Sequence, residues 1–304
     1  MTVCIAALCG NMVVGASDRM KTAGDVEFEP PTTKILQLTN SIAVLVAGDL
    51  TFQAEILRNI QTLVNKSIAA EPLKWLSVKD IADYYVNFRN EEKLKRAESM
   101  ILAPLGLDRN TFINRQKEMS ESFISQITKE LINFDVPTIG AIFAGVDNVG
   151  AHIYLVNDGN VNCCDGIGFC AIGIGAGHAN LEFMLAGHAW NAPLPDTLLL
   201  TYLAKKRAEV APGVGKNATD MFIIGPELGS FHVLGEHVLS KLEEIYNEHK
   251  NEEQKIVVRA RTEVNRYVDE IAKATITQKQ TTTAIDRGEK PNNTGAISNN
   301  SEKV

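Results

Sequence analysis

The sequence lacks several features by which common classes of protein are identified. It has 5 cysteines in 304 residues, an odd number without metal-type spacing. This argues against a disulfide framework and against a zinc site. Basic residues are outnumbered as well, with 30 Lys and Arg against 37 Asp and Glu and a net charge of −7. Nucleic acid and anionic membrane surfaces are therefore not expected partners, because no net positive field is present to displace counterions.

Long apolar runs are also missing, and none approaches the ~20 residues that a membrane-spanning helix needs. The apolar start, residues 1–16, has no basic stretch and is interrupted at Gly10-Asn11, so we do not interpret it as a signal peptide. Buried thiols in a reducing compartment explain the cysteines, and we expect a cytoplasmic location.

Common cofactor and catalytic motifs are incomplete. The run 173–177 (Gly-Ile-Gly-Ala-Gly) resembles a dinucleotide loop, but His178 occupies the third glycine position. The run 212–216 resembles a phosphate loop, but Val210 replaces its first glycine and Asn217 its Mg²⁺-binding hydroxyl residue. No nucleophile elbow or zinc-peptidase helix motif occurs, and the 6 histidines are scattered. We predict no cofactor and no metal.

Apolar periodicity divides the chain into blocks of strands and blocks of helices. The first half predicts strands at 3–8, 12–17, 34–38 and 41–47, then helices at 51–69, 78–100 and 108–134. The second half predicts strands at 138–146, 152–156, 161–164 and 169–174, helices at 179–190 and 196–210, and strands at 219–225 and 231–234. Because the two types do not alternate one by one, we expect an α+β fold with antiparallel sheets covered by helices.

The chain from 236 onward has a different pattern. Two amphipathic stripes predict a helical extension over 236–276, with the charged residues 248–255 as a joint between two helices. Residues 277–304 are rich in Thr, Asn, Gly and Lys and have almost nothing to bury, which predicts a disordered tail.

Thr2 carries the chemistry that the sequence suggests, because removal of Met1 would make it the first residue. A terminal threonine combines a hydroxyl nucleophile with an α-amine base, whose ordinary pKa of about 7.7–8 suits that task. Such a nucleophile needs a positive group to tune the amine and a donor for the oxyanion. Asp18, Lys34 and Gly48 lie at the ends of the next predicted strands and can supply a carboxylate, an ammonium and a backbone N–H.

Three segments resemble proteasome β-type subunits, which are N-terminal nucleophile hydrolases. Residues 2–24 are similar to the start of those subunits, and the intervals from Thr2 to Asp18, Lys34 and Gly48 equal the family's without a gap. Residues 145–154 (Gly-Val-Asp-Asn-Val-Gly-Ala-His-Ile-Tyr) resemble the family's strand–turn–strand signature, and residues 171–175 resemble a third block. Together the resemblance covers the chain from about Thr2 to Gly225.

The resemblance implies a four-layer αββα sandwich of two antiparallel sheets. It places the hydrolase domain at 1–235, with a helical insertion at about 93–135 that exceeds the family's usual spacing. It also implies a threonine-type endopeptidase that assembles into a homo-oligomeric ring and cleaves peptides or unfolded proteins. An ATP-dependent unfoldase would be a suitable partner for such a ring.

The resemblance also assigns roles to individual residues. It implies that Thr2 is the nucleophile and its amine the base, while Lys34 lowers the basicity of that amine. Asp18 would orient Lys34, the Gly48 N–H would bind the oxyanion, and Thr22 would bind the substrate backbone. The pocket beside the scissile bond would be shaped by Lys21, Thr32, Leu36, Val46, Leu50 and Ala54. Most of these are apolar or small, which favours an apolar substrate side chain, and Lys21 is the exception.

The sequence departs from the family at three supporting positions. Ile174 stands where the family has a serine, and Ala211 and Val214 stand where it has an aspartate and a serine that assist the threonine amine. These replacements favour an alternative interpretation, a catalytically silent proteasome-like scaffold subunit. A second alternative is an amidase or acylase that uses Thr2 on a small substrate.

Overall fold

A computed structural model describes residues 2–23, 25–72 and 74–286 of the chain. The described residues up to Leu242 form one unit, and those from Glu243 onward form a second. No helix in these three ranges is long and apolar enough to cross a membrane.

The strands are β1 (Cys4–Cys9), β2 (Met12–Asp18), β3 (Lys21–Ala23), β4 (Val26–Phe28), β5 (Ile35–Thr39), β6 (Ile42–Gly48), β7 (Ile139–Val146), β8 (Ala151–Asn157), β9 (Asn160–Cys163), β10 (Phe169–Ile172), β11 (Thr219–Ile224) and β12 (Phe231–Val233). The helices are α1 (Leu50–Ala70), α2 (Val78–Ala97), α3 (Arg109–Asn114), α4 (Glu121–Asn133), α5 (Ala176–Leu185), α6 (Leu194–Ala208) and α7 (Glu236–Asp286).

The strands form two five-stranded antiparallel sheets and a short ribbon. The order in the first sheet is β10-β1-β2-β11-β12, and in the second it is β5-β6-β7-β8-β9. β3 and β4 pair only with each other and place Lys21 opposite Phe28. The mixed α+β composition and the antiparallel sheets agree with the sequence prediction.

Strands in both sheets bury side chains on both of their faces. In β1, Cys4, Ala6 and Leu8 pack in a cluster with residues of the second sheet, whereas Ile5 and Ala7 pack in a cluster with residues of α5 and α6. In the second sheet, one face joins the first cluster and the other packs with α1 and α2. Successive side chains of a strand point to opposite faces, so continuous apolar runs are the pattern expected of strands covered on both sides.

Side-chain caps determine where several helices begin. The side chains of Asp49 and Ser77 accept the N–H groups of Phe52 and Asp80 at the starts of α1 and α2. Such caps satisfy backbone donors that have no partner within the helix. The cap of α1 directly follows Gly48, so it also determines where β6 ends and the helix begins.

The structure differs from the sequence prediction in the insertion. The single helix predicted at 108–134 is divided into α3 and α4, separated by a 3₁₀ turn at Gln116–Glu118. Asp108 caps α3 and Ser120 caps α4, accepting the N–H groups of Thr111 and Phe123. The Ser120 cap starts a new helix at a point where the apolar periodicity, taken alone, predicts that one helix continues.

The C-terminal unit also differs from the prediction. The helix α7 runs without a joint from Glu236 to Asp286, through the charged residues 248–255 and into the segment predicted to be disordered. No glycine or proline occurs in this stretch, and ion pairs such as Lys255–Glu252 and Arg266–Glu263 join successive turns. Residues 287–304, the rest of the predicted tail, lie outside the described residues.

Candidate active site

Thr2, Asp18 and Lys34 meet at one end of the two sheets. Thr2 precedes β1, Asp18 ends β2, and Lys34 immediately precedes β5. All three are buried, with exposed fractions of 3%, 0% and 5%. A lysine at the start of a strand is usually solvated, so its burial beside a carboxylate indicates a specific site.

The Thr2 hydroxyl lies between the other two side chains. It donates a hydrogen bond to Asp18 Oδ1 at 2.6 Å and accepts one from Lys34 Nζ. Lys34 Nζ also donates to Asp18 Oδ1 at 2.9 Å, in an ion pair that is almost completely buried. The three groups therefore form a closed triangle that fixes the position of the hydroxyl.

Backbone groups fix the Asp18 carboxylate in turn. Its Oδ1 accepts the Val3 N–H at 2.8 Å, and its Oδ2 accepts the N–H groups of Met20 and Gly215 at 2.9 Å each. Burial opposes the ionisation of Asp18, but the charge of Lys34 and the hydrogen bonds from Thr2, Lys34 and Val3 outweigh it, so its pKa is lowered. Asp18 is thus an anion that orients its partners and a poor acceptor of protons.

Gly48 ends β6 beside this triangle in a conformation that suits glycine. Its φ is +104°, and a Cβ there would lie 2.3 Å from the Thr138 carbonyl oxygen. Any other residue would therefore have to displace the β7 backbone. Gly48 lines the same cavity as Thr2 and Lys34.

The cavity in front of Thr2 has a volume of about 430 Å³. It contains three of the residues predicted for the substrate pocket, namely Lys21, Val46 and Leu50, together with Thr22. The Thr22 hydroxyl is buried and has no hydrogen-bond partner among the described residues.

The remaining predicted pocket residues lie elsewhere. Thr32 accepts a hydrogen bond from Lys21 Nζ at 2.7 Å but is not among the described residues that line the cavity. Leu36 is 36% exposed on β5, and Ala54 is exposed on α1, both outside that lining. Of the pocket residues predicted on the strands of the second sheet, Val46 on β6 lines the cavity and Leu36 on β5 does not.

Residues that the sequence prediction omitted complete the lining. These are Met20, Phe28, Ala47, Asp49 and Thr51. Asp49 and Thr51 flank Leu50 at the start of α1, so their place follows from the cap of that helix. Phe28 enters through the β3–β4 ribbon, whose two strands of three residues each carry too little periodicity to be predicted.

The three positions at which polar side chains were expected from the resemblance differ in their surroundings. Ala211 and Val214 are buried in the cluster formed with α5 and α6, and Ile174 is 52% exposed. The neighbouring glycines of Ile174 contact Thr2 directly. The Gly175 N–H donates to the Thr2 carbonyl oxygen at 3.2 Å, and a Cβ on Gly173 would lie 2.3 Å from that oxygen.

Two other reactive side chains, Cys4 and His152, do not take part in this arrangement. Cys4 Sγ lies beneath the triangle and donates to the Val46 carbonyl oxygen at 3.4 Å. Burial raises the pKa of its thiol to about 12, so it stays protonated at neutral pH. His152 pairs with Asp165 at 2.7 Å in a different cavity. Within the described ranges, no group of three or more His, Cys, Asp or Glu side chains is arranged to hold a metal.

Comparisons with known proteins add no assignment. No model of a protein family matches the sequence, and no curated protein matches it significantly.

Proposed function

We propose that the protein is a threonine-type endopeptidase of the N-terminal nucleophile class, with Thr2 as its nucleophile. The observation that carries this proposal is the buried triangle of Thr2, Asp18 and Lys34 at the wall of a cavity of about 430 Å³. Ligand cavities are typically about 300–1,000 Å³ in volume, so this one can hold a substrate side chain.

The reaction requires a free α-amine on Thr2, and everything that precedes this residue must therefore be removed. Met1 lies outside the described residues. The lowered pKa of Asp18 makes its carboxylate a weak base, so the freed amine is the better acceptor for the hydroxyl proton. Lys34 Nζ, which donates to Thr2 Oγ1, stabilises the negative charge that develops on that oxygen.

In the acylation step, Thr2 Oγ1 attacks the substrate carbonyl carbon while the α-amine takes its proton. The oxygen of the resulting tetrahedral intermediate becomes negatively charged and is stabilised by the Gly48 N–H. The C–N bond then breaks, and the ammonium returns the proton to the leaving amine. Water hydrolyses the remaining ester by the same route, which releases the acid and restores the Thr2 hydroxyl.

We also interpret the fold as the four-layer αββα sandwich of this class. The support is the order of the clusters, because one lies between the two sheets, one covers the second sheet with α1 and α2, and one covers the first with α5 and α6. A homo-oligomeric ring and a cytoplasmic location are further parts of this proposal. The mass of the protein in solution tests the ring, because an assembled ring has a multiple of the mass of one chain.

An epoxyketone peptide tests the mechanism, because it bonds to both the hydroxyl and the amine of a terminal threonine. We expect the intact mass to show that Met1 is absent and that one inhibitor is bound per chain. Thr2→Ala should abolish the adduct. Cys163→Ala should retain it, which excludes alkylation of this exposed thiol. A chain that starts at Thr2 but forms no adduct would refute the proposed activity.

The second candidate function is a silent scaffold subunit of the same fold. It is favoured by Ala211 and Val214, since their buried apolar side chains cannot donate to or accept from the Thr2 amine. On this alternative, the chain forms no adduct but still assembles. Replacement of Val214 and Ile174 by serine would then restore reactivity if only those hydroxyls are missing.

A further inference from the structure

The loop between α6 and β11 contacts the site through consecutive backbone N–H groups. The Gly215 N–H donates to Asp18 Oδ2 at 2.9 Å. The next two donate to another carboxylate, since Lys216 N–H lies 2.8 Å and Asn217 N–H 3.4 Å from Glu29 Oε1. The loop thus connects the Asp18 carboxylate with that of Glu29, a residue outside the triangle.

Glycine at position 215 allows the loop to pass between these two carboxylates. A Cβ there would lie 2.4 Å from Glu29 Oε1 and 3.1 Å from Asp18 Oδ2. A side chain at this position would therefore displace the Glu29 carboxylate and crowd that of Asp18. The fit shows that Glu29, Gly215 and Asp18 are packed as one unit.

The Glu29 carboxylate is unusual in having few other partners. Its Oε2 is buried and has no hydrogen-bond partner among the described residues. Arg19 is close enough to be influenced by its charge, but the Arg19 guanidinium is held by Asp220 at 2.6 Å. The hydrogen bonds that Glu29 does make are to the loop, so its carboxylate helps to fix the position of the loop.

We propose that Glu29 is a positioning residue that acts on Asp18 through this loop. The inference rests on the proposed function. Ala211 and Val214 have buried apolar side chains, and the Gly215 N–H is the group through which the loop binds Asp18. Glu29 holds that N–H in place by binding the two amides that follow it.

The test compares Glu29→Ala with Glu29→Gln in the full-length protein. The glutamine oxygen can still accept both N–H groups, whereas alanine cannot. Two quantities are measured: the rate of reaction with a peptide epoxyketone across pH, and hydrogen exchange of the 213–217 backbone amides by mass spectrometry. Asp25→Ala, which removes an exposed carboxylate from the same segment, is the matched control.

We expect Glu29→Ala to react about 10- to 100-fold more slowly, as small misplacements of catalytic groups do. The acid limb of its pH profile should move to higher pH, because Asp18 loses a hydrogen bond to its charged form. Exchange at 213–217 should be faster. Glu29→Gln and Asp25→Ala should resemble the wild type in all three respects.

Two results would overturn the inference and one would overturn more. Exchange at 213–217 that does not change in Glu29→Ala refutes the loop contact. A faster exchange with an unchanged reaction rate and pH profile refutes its effect on Asp18. In both cases the wild type still reacts, and the proposed function stands. A wild type that forms no adduct refutes the proposed function and, with it, any catalytic role of Glu29.

Discussion

Asp18 accepts the Thr2 hydroxyl, the Lys34 ammonium and backbone N–H groups while having no exposed surface. Substitution of Asp18 by Asn removes the charge but keeps the size, and it leaves Lys34 buried without its anion. Breaking a buried ion pair in this way costs about 3–5 kcal/mol. We therefore expect the free energy of unfolding at pH 7, measured by urea denaturation, to fall by that amount.

The pH dependence of the same variant follows from the direction of the pKa shift. The folded-state pKa of Asp18 lies below its unfolded value because Lys34 and the hydrogen bonds outweigh burial. Such a carboxylate stabilises the fold above its unfolded pKa of about 3.9, and this stabilisation is lost as pH falls through the folded pKa. The difference in free energy of unfolding between the wild type and Asp18→Asn should thus become smaller in acid. A gap that stays constant with pH would contradict this account.

Lys21 and Asp49 are the charged side chains at the cavity wall besides Lys34. Asp49 is engaged in capping α1 through the Phe52 N–H at 2.8 Å, whereas the Lys21 ammonium contacts the neutral Thr32 hydroxyl. Two peptides are compared, one with Glu and one with Leu at the cleaved bond. We expect Lys21→Met to lower kcat/KM for the Glu peptide relative to kcat/KM for the Leu peptide. A decrease of about 2- to 5-fold corresponds to an exposed ion pair of ~0.5–1 kcal/mol.

The matched control for this experiment is Lys66→Met, which removes an exposed lysine from α1. It should leave the ratio unchanged. Equal loss of activity on both peptides in Lys21→Met would indicate a general role for this residue and contradict a role in specificity.

Thr2, Asp18 and Lys34 each lie at or beside the end of a predicted strand, and the family resemblance implied that they form one site. The Gly10-Asn11 turn pairs β1 with β2 and so brings Asp18 close to Thr2. Lys34 precedes a strand of the other sheet, so the turn does not predict its place. Glu29 and Gly215 could not be predicted in this way. Their contact joins positions far apart in the chain through loops, and no periodic pattern records it.

At the scale of secondary structure, Gln53 joins α1 and α2 to the second sheet. Its Nε2 donates to the carbonyl oxygens of Ala47 and Gly140 at 3.1 and 2.9 Å, and its Oε1 accepts the Tyr85 hydroxyl at 2.6 Å. Tyr85→Phe leaves the buried Oε1 without that donor, which costs about 1–3 kcal/mol. We expect thermal unfolding at a lower temperature and an unchanged rate of reaction at Thr2.

Tyr84 provides an internal control, because it precedes Tyr85 on the same helix but is 40% exposed. Tyr84→Phe should change stability by less than about 0.5 kcal/mol, as exposed substitutions usually do. Equal effects of the two substitutions would show that the hydrogen bond to Gln53 contributes nothing.

Most long elements with strong periodicity were predicted within a few residues, whereas the division of the insertion and the β3–β4 ribbon were missed because a local cap and strand pairing determine them. The Ser120 side chain divides the insertion into α3 and α4, although the apolar spacing continues across it. The β3–β4 ribbon has exposed side chains in β4 and depends on its pairing with β3. Neither feature leaves a periodic signal in the sequence.

At the scale of the molecule, both sheets are covered on both faces by the first unit alone. The three clusters that pack the sheets and their helices draw their described members from residues up to Phe231. The helix α7 from Glu243 onward belongs to the second unit, and side chains along it, including Ile256, Val264 and Ile271, are more than half exposed. The sequence predicted a helical extension here, and its continuity follows from the absence of a helix-breaking residue.

A chain that ends at Leu242 should therefore keep the fold and the reactivity of Thr2. We expect this chain to unfold in one cooperative transition and the epoxyketone adduct to form at the same rate as in the full chain. Far-ultraviolet circular dichroism should lose helical signal. A chain that ends at Gly229 is the contrasting control, since it also loses β12, whose Phe231 stacks on Phe222 at 5.4 Å. Unfolding of both truncated chains would show that the second unit stabilises the first.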